Sequence, residues 1–298
     1  MIASASVMII STALFFSTAL AYYKYGKITL SVLLPLAAYV FLFNSTADVI
    51  ALVFVPFAVG SLCGFVFKNN KSMQFYIVVA TVIVTSILLA NYYYQLLYLK
   101  KDVLGMAKEM FSGLPYFKEG SPEDQANFNR VLEQTYDTFK VVYPFIFFIN
   151  AFFWSMAGFA VNKIVVQFYT KTKITLKGIE FFKLSDYLIF MVITATAIVF
   201  FAKDYIPYKA YYVFTNVLLI TIFFYFIQSI GIAKFFIKMK KLPFSIIPFT
   251  ILLALFFGVT VFSFFMIIMT GFGILDLWAD FRKLNIDGSV KTMPDKSK

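Results

Sequence analysis

The chain has 298 residues, 61% of them hydrophobic and 14% charged, with a formal net charge of +11. Soluble domains carry about 25% charged residues, so this composition excludes an ordinary water-soluble globular fold. There is no histidine, which removes the commonest general base and the commonest metal ligand, and the single cysteine, Cys63, excludes an internal disulfide.

Apolar runs of about 20 residues recur along the chain and are continuous rather than alternating, which predicts membrane-spanning helices and not a β-barrel. The first run is Ile2–Tyr22. Ala19-Leu20-Ala21 resembles a signal cleavage site, but no Lys or Arg precedes the run, so we read an uncleaved span. The second, Ile28–Phe43, is short and contains Pro35. The third, Val49–Phe67, ends at Lys68 and Lys71, and the fourth, Phe75–Tyr98, ends in the aromatic cluster Tyr92, Tyr93 and Tyr94, an interfacial belt.

At Lys100 the composition changes. From 100 to 139 charges are dense and mixed, while Val103, Met106, Ala107, Met110 and Phe111 recur at helical spacing. Ser121-Pro122-Glu123-Asp124 reads as a helix start, with an N-cap Ser, Pro in the first turn and acids near the positive end of the dipole. We expect a pair of amphipathic helices at the membrane surface, the second running into the fifth span, Val141–Val161. A Lys-rich connection, Asn162–Asp186, leads to a sixth span at Tyr187–Ala202 and a seventh at Tyr211–Phe235.

The final run, Leu242–Trp278, is too long for one crossing. Roughly 37 residues at 1.5 Å each reach about 55 Å, against a hydrocarbon core of about 30 Å. Either one long tilted or kinked helix projects into water, or a turn near Gly258 splits the run. The expected architecture is therefore an all-α polytopic membrane bundle of eight spans, with nine as the rival count. It divides into helices 1–4 (1–99), the amphipathic insertion (100–139), the later helices (140–278) and a polar tail (279–298).

Lysines gather in the first, third, fifth and seventh connections, which places these on the cytoplasmic side. The same pattern suits anionic headgroups and makes nucleic acid an unsuitable partner. With eight spans the carboxyl end would lie outside, whereas Arg282, Lys283, Lys291, Lys296 and Lys298 favour a ninth crossing.

Charged side chains are nearly absent from the middle of every span, which argues against an ion-coupled carrier. The polar candidates for a solute cavity are Asn91, Gln95, Asn150, Asn216 and Gln228; the blander reading is that such amides join helices to one another. Pro56, Gly60 and Gly64 share a face of the third span, and Gly60–Gly64 is a GxxxG pair suited to close helix packing. There is no phosphate loop, dinucleotide fingerprint, nucleophile elbow or metal-ligand cluster. We therefore expect no enzyme, no catalytic or metal-binding residue and no cofactor.

The most information-dense stretch is Gly271–Leu284. Asp276 and Asp280 are four apart, as are Trp278 and Arg282. On a continuous helix this spacing predicts an ion pair from Asp280 to Lys283, a cation–π contact from Arg282 to Trp278, and an interfacial anchor. We expect Asp276, Asp280 and Arg282 to hold the end of the last helix against the bundle or a partner, with Trp278 and Phe281 in the same motif.

Gly273-Ile274-Leu275-Asp276-Leu277-Trp278-Ala279-Asp280-Phe281-Arg282 resembles the closing pattern of the YybS-like family, predicted bacterial inner-membrane proteins of unknown function. Tyr25-Gly26, the Pro56/Gly60/Gly64 face, the charged insertion and the stretch from Gln228 to Gly231 agree more loosely. That family is distantly similar to the substrate-binding S components of energy-coupling-factor transporters. The resemblance implies a multi-pass protein of the cytoplasmic (inner) membrane, with the lipid bilayer as surroundings and a small solute or an ATPase module as partner. The alternative is a membrane scaffold or assembly factor with no solute.

Overall fold

The computed structural model describes residues 2–27, 47–100, 102–112, 122–176, 178–202, 204–243 and 245–282. Every regular element among them is helical. The expected second span, Ile28–Phe43, lies outside the described residues, as do Ser121 and Lys283. The chain forms two compact units, 1–176 and 177–298.

The first unit holds α1 (Ile2–Tyr25), α2 (Ala47–Lys68), α3 (Met73–Leu97), α4 (Val103–Ser112) and α5 (Pro122–Thr170). α1 and α2 run parallel. A Cβ on Gly60 would strike Thr18 Oγ1 and come within 2.5 Å of the Phe15 carbonyl oxygen, and one on Gly64 would come within 2.5 Å of the Ala19 carbonyl oxygen. The GxxxG pair thus lets the α1 backbone approach within this chain. Pro56 is buried in the interior of α2. α3 begins where Phe75 N donates to Ser72 Oγ, an N-cap bond of 3.2 Å. α3 packs antiparallel to α5, with ring contacts between Tyr76 and Phe159 at one level and Tyr92 and Tyr143 at another.

α5 is one rod of 49 residues. At 1.5 Å per residue it is about 74 Å long, more than twice the hydrocarbon core, so the charged insertion and the fifth span are continuous. Its first part carries α4 alongside: Asp102 caps α4 by accepting from Gly105 N at 2.9 Å, and Tyr136 of α5 donates to the same carboxylate at 2.7 Å. Lys108 pairs with Glu133 across the two helices.

The second unit holds a short 3-10 turn (Ile179–Phe181), α6 (Leu188–Phe201), α7 (Tyr208–Met239), α8 (Ile246–Phe256) and α9 (Val259–Ala279). The long final run is broken at Gly258, whose φ of 98° is open to glycine and strained for other residues. α8 has 11 residues, about 16 Å, too short to cross the core alone. Gly273 of α9 lies against the Tyr225 carbonyl of α7, and Asp276 of α9 accepts from Gln228 of α7, three residues further along each helix. These pairings advance in the same direction along both helices, so α7 and α9 are parallel and end together. Four helices among the described residues are long and apolar enough to cross a membrane: 73–97, 123–170, 208–239 and 260–279. α6 and the 55–68 part of α2 are shorter apolar helices.

Candidate functional site

The strongest concentration of buried charge among the described residues lies where α7 and α9 end. α9 stops at Ala279 because Asp280 takes the left-handed conformation (φ 42°, ψ 51°), its N–H donating to the Asp276 carbonyl. The reversal turns Arg282 back onto the helix it has just left. Its Nη2 donates to Asp276 Oδ2 at 2.7 Å, with both side chains 1% exposed. Nη1 donates to the Glu180 carbonyl oxygen at 3.0 Å, and Nε is buried with no partner among the described residues.

Asp276 is met by two further donors. Phe281 N–H reaches Oδ1 at 3.0 Å, and Gln228 Nε2 reaches Oδ2 at 3.2 Å. Gln228 also donates to the Gly273 carbonyl at 3.1 Å, while its own Oε1 accepts from Leu184 N at 2.8 Å. One amide therefore ties α7 to α9 and to the segment before α6. A buried charge is tolerated only when it is paired and its remaining lone pairs are satisfied, and three donors on one carboxylate meet that condition. Arginine suits the partner role because its planar fork serves a carboxylate and a carbonyl at once. Gly231 leaves room for this: a Cβ there would lie 2.5 Å from the Ile179 carbonyl and 3.4 Å from Arg282 Nη1.

A second ring of charge surrounds the pair. Glu180 meets Lys234 at 2.9 Å and Lys238 at 3.4 Å, and Lys183 meets Asp280 at 3.4 Å. Burial alone would raise the Glu180 carboxyl, but hydrogen bonds from Lys234 and its own backbone amide, with Lys238 beyond, hold it below the ordinary value.

Arg282 thus acts in a different pairing from that expected of a continuous helix, while Lys283, the expected partner of Asp280, lies outside the described residues. Asp280 is paired with Lys183, and Arg282 turns inward to Asp276 instead of stacking on Trp278, which stands 70% exposed. Phe281 contributes its backbone N–H. Four-residue spacing loses its meaning once the left-handed residue ends the helix. Nothing in their spacing marks Glu180, Lys183, Lys234 or Lys238 as members of this site; Lys183 and Lys238 are legible only as cations of the cytoplasmic connections. The available signal was that Glu180 is the only acid between Asp137 and Asp186.

The polar candidates for a cavity divide between the two units. In the first unit Asn91 and Gln95 are half-buried on α3 and Asn150 is exposed on α5. In the second, Asn216 donates to the Tyr212 carbonyl of its own helix at 2.8 Å, and Gln228 bonds Gly273 and Asp276 of α9. No group of three or more His, Cys, Asp or Glu among the described residues could hold a metal ion.

Apolar helices long enough to span a bilayer, with buried charge concentrated at one helix end, define a multi-pass helical membrane protein. Residues 1–277 match the family described as "Predicted membrane protein (DUF2232)", and the chain belongs to that family. The match reaches Asp276 and stops before Arg282. No curated protein and no solved structure matches the chain.

Proposed function

We propose that the protein is a non-catalytic component of the bacterial cytoplasmic membrane, a scaffold or assembly factor that presents a rigid helical surface to a membrane partner. The observation that carries this reading is the use of Gln228. Its amide, which would suit a solute, spends both ends on fixing α7, α9 and the Leu184 segment to one another. The long rod α5, with its charged first part, supplies an extended surface beside the apolar spans. Extraction in mild detergent followed by quantitative co-purification tests the reading: a protein partner retained in fixed ratio is the expected result, and the chain recovered alone after cross-linking in intact membranes would contradict it.

A second reading, a solute-binding component resembling S components, draws on the α3–α5 seam. Thr81 and Thr85 of α3 and Ser155 of α5 are buried hydroxyls with no partner among the described residues, and they fall between the two ring contacts that align these helices. A polar solute would satisfy them. The eight- or nine-span count belongs to this reading and to the first alike, since either needs a closed bundle.

A further inference from the structure

We propose that the lysine-bearing end of the first unit is a binding surface for the headgroups of anionic phospholipids. Three chain segments meet there. Parallel packing brings the ends of α1 and α2 together, and a Cβ on Gly26 would lie 2.8 Å from Lys68 Nζ. The end of α5 joins them through a directed chain of hydroxyls. Thr170 donates to the Val166 carbonyl at 2.6 Å, so in its 2.6 Å contact with Thr172 the donor is Thr172. Thr172 then accepts from Tyr23 of α1 at 3.2 Å.

The segments so joined carry Lys24, Lys27, Lys68, Lys71, Lys171 and Lys173, all exposed. None of these six pairs with a carboxylate among the described residues. Asp48 lies at the start of α2, the end opposite Lys68, Asp102 lies beyond the far end of α3, a helix of 25 residues and so about 37 Å long, and the other described acids of the unit lie on α4 and the first part of α5. Helix dipoles do not account for the excess. Three carboxyl-terminal ends contribute about −1.5 charges and the amino-terminal end of α3 about +0.5, leaving roughly five of the six positive charges unanswered.

The surroundings identify the anion. Phe168 and Tyr169, at the end of α5, are 76% and 67% exposed, and Tyr25 and Phe75 stand exposed at the same end. Exposed rings beside unpaired lysines match the headgroup level of a bilayer, where rings sit among the acyl carbonyls and lysines reach phosphate. A water-soluble acidic partner would leave those rings in water.

The test uses the full-length protein in detergent with equal amounts of phosphatidylglycerol and phosphatidylcholine, counting retained lipids by native mass spectrometry. The wild type is expected to retain phosphatidylglycerol in roughly tenfold preference. The variant Lys68→Gln/Lys71→Gln/Lys171→Gln/Lys173→Gln should lose most of that preference. Lys209→Gln/Lys240→Gln/Lys241→Gln, in the other unit, should keep it. Raising salt from 50 to 500 mM should weaken the wild-type preference, a readout that no folding defect can mimic. Undiminished preference in the four-lysine variant would overturn the proposal, as would equal loss in the control variant. Equal retention of the two lipids by the wild type, with a poly-glutamate peptide bound instead, would assign the surface to an acidic protein.

Discussion

Asp276 and Arg282 illustrate how much depends on one backbone residue. Because Asp280 is left-handed, Arg282 is folded back into a place 2% exposed, where its only carboxylate partner among the described residues is Asp276. Removing one member leaves the other charged and buried, which typically costs about 3–5 kcal/mol. Asp276→Asn and Arg282→Gln should therefore each lower thermal stability in detergent clearly. The double variant should cost less than the sum, because the two changes remove one interaction. Arg282→Lys should not restore stability, since an ammonium cannot serve the Asp276 carboxylate and the Glu180 carbonyl in the same fork geometry. Near-zero, additive losses in thermal unfolding would show instead a solvated surface pair.

Glu180 makes a prediction in pH. Its folded carboxyl lies below the ordinary glutamate value, held there by Lys234 and Lys238 against the opposing effect of burial. A lowered folded value means that the stabilisation is complete above the unfolded value and is lost as pH falls through the folded one. Thermal unfolding of the wild type should weaken below about pH 4.5, and Glu180→Gln should flatten that part of the profile while lowering stability at neutral pH. The gathering of charge at the end of the last apolar run is legible in Asp276, Asp280 and Arg282. Their partners are not, because pairing by four-residue steps presumes a helix through Arg282, and Glu180 and Lys183 enter only through tertiary contact.

At the scale of elements, the apolar runs mark the helices well and their ends poorly. Hydropathy identifies the fifth span and the amphipathic stretch before it, and the two prove to be the single rod α5. The final run was ambiguous until Gly258 adopted a conformation that interrupts helix and leaves α8 and α9 as separate pieces. Glycine spacing in α2 is legible as close packing, but not the identity of the neighbour, which is α1. Gly60→Ala and Gly64→Ala should each lower thermal stability by about 1–3 kcal/mol through overpacking against the α1 backbone. Unchanged unfolding of both would contradict the parallel α1–α2 contact. In the insertion, Asp102→Ala removes the α4 cap and the Tyr136 acceptor together. A loss of about 1 kcal/mol, typical of an N-cap, should appear as faster hydrogen exchange in α4 with little change elsewhere.

At the scale of the whole molecule, the two units contribute different properties. The first gathers unpaired cations at one end, and the second closes one end with a buried ion pair. Parallel α7 and α9 require both to finish on one side of the membrane. In a Cys63→Ser background, Lys241→Cys and Trp278→Cys should label from that side, and Tyr208→Cys from the other. The cysteine map also separates the span counts, because a single last crossing would put Lys241 and Trp278 on opposite sides. The most direct test of the central claim, a bundle whose intramembrane amides serve packing and not a solute, is native mass spectrometry of the protein released from its own membrane. The expected result is the polypeptide with bound lipid and a protein partner, and no small molecule in fixed ratio. A small polar molecule retained one to one by the wild type, and lost in Thr81→Val/Ser155→Ala with stability unchanged, would contradict it.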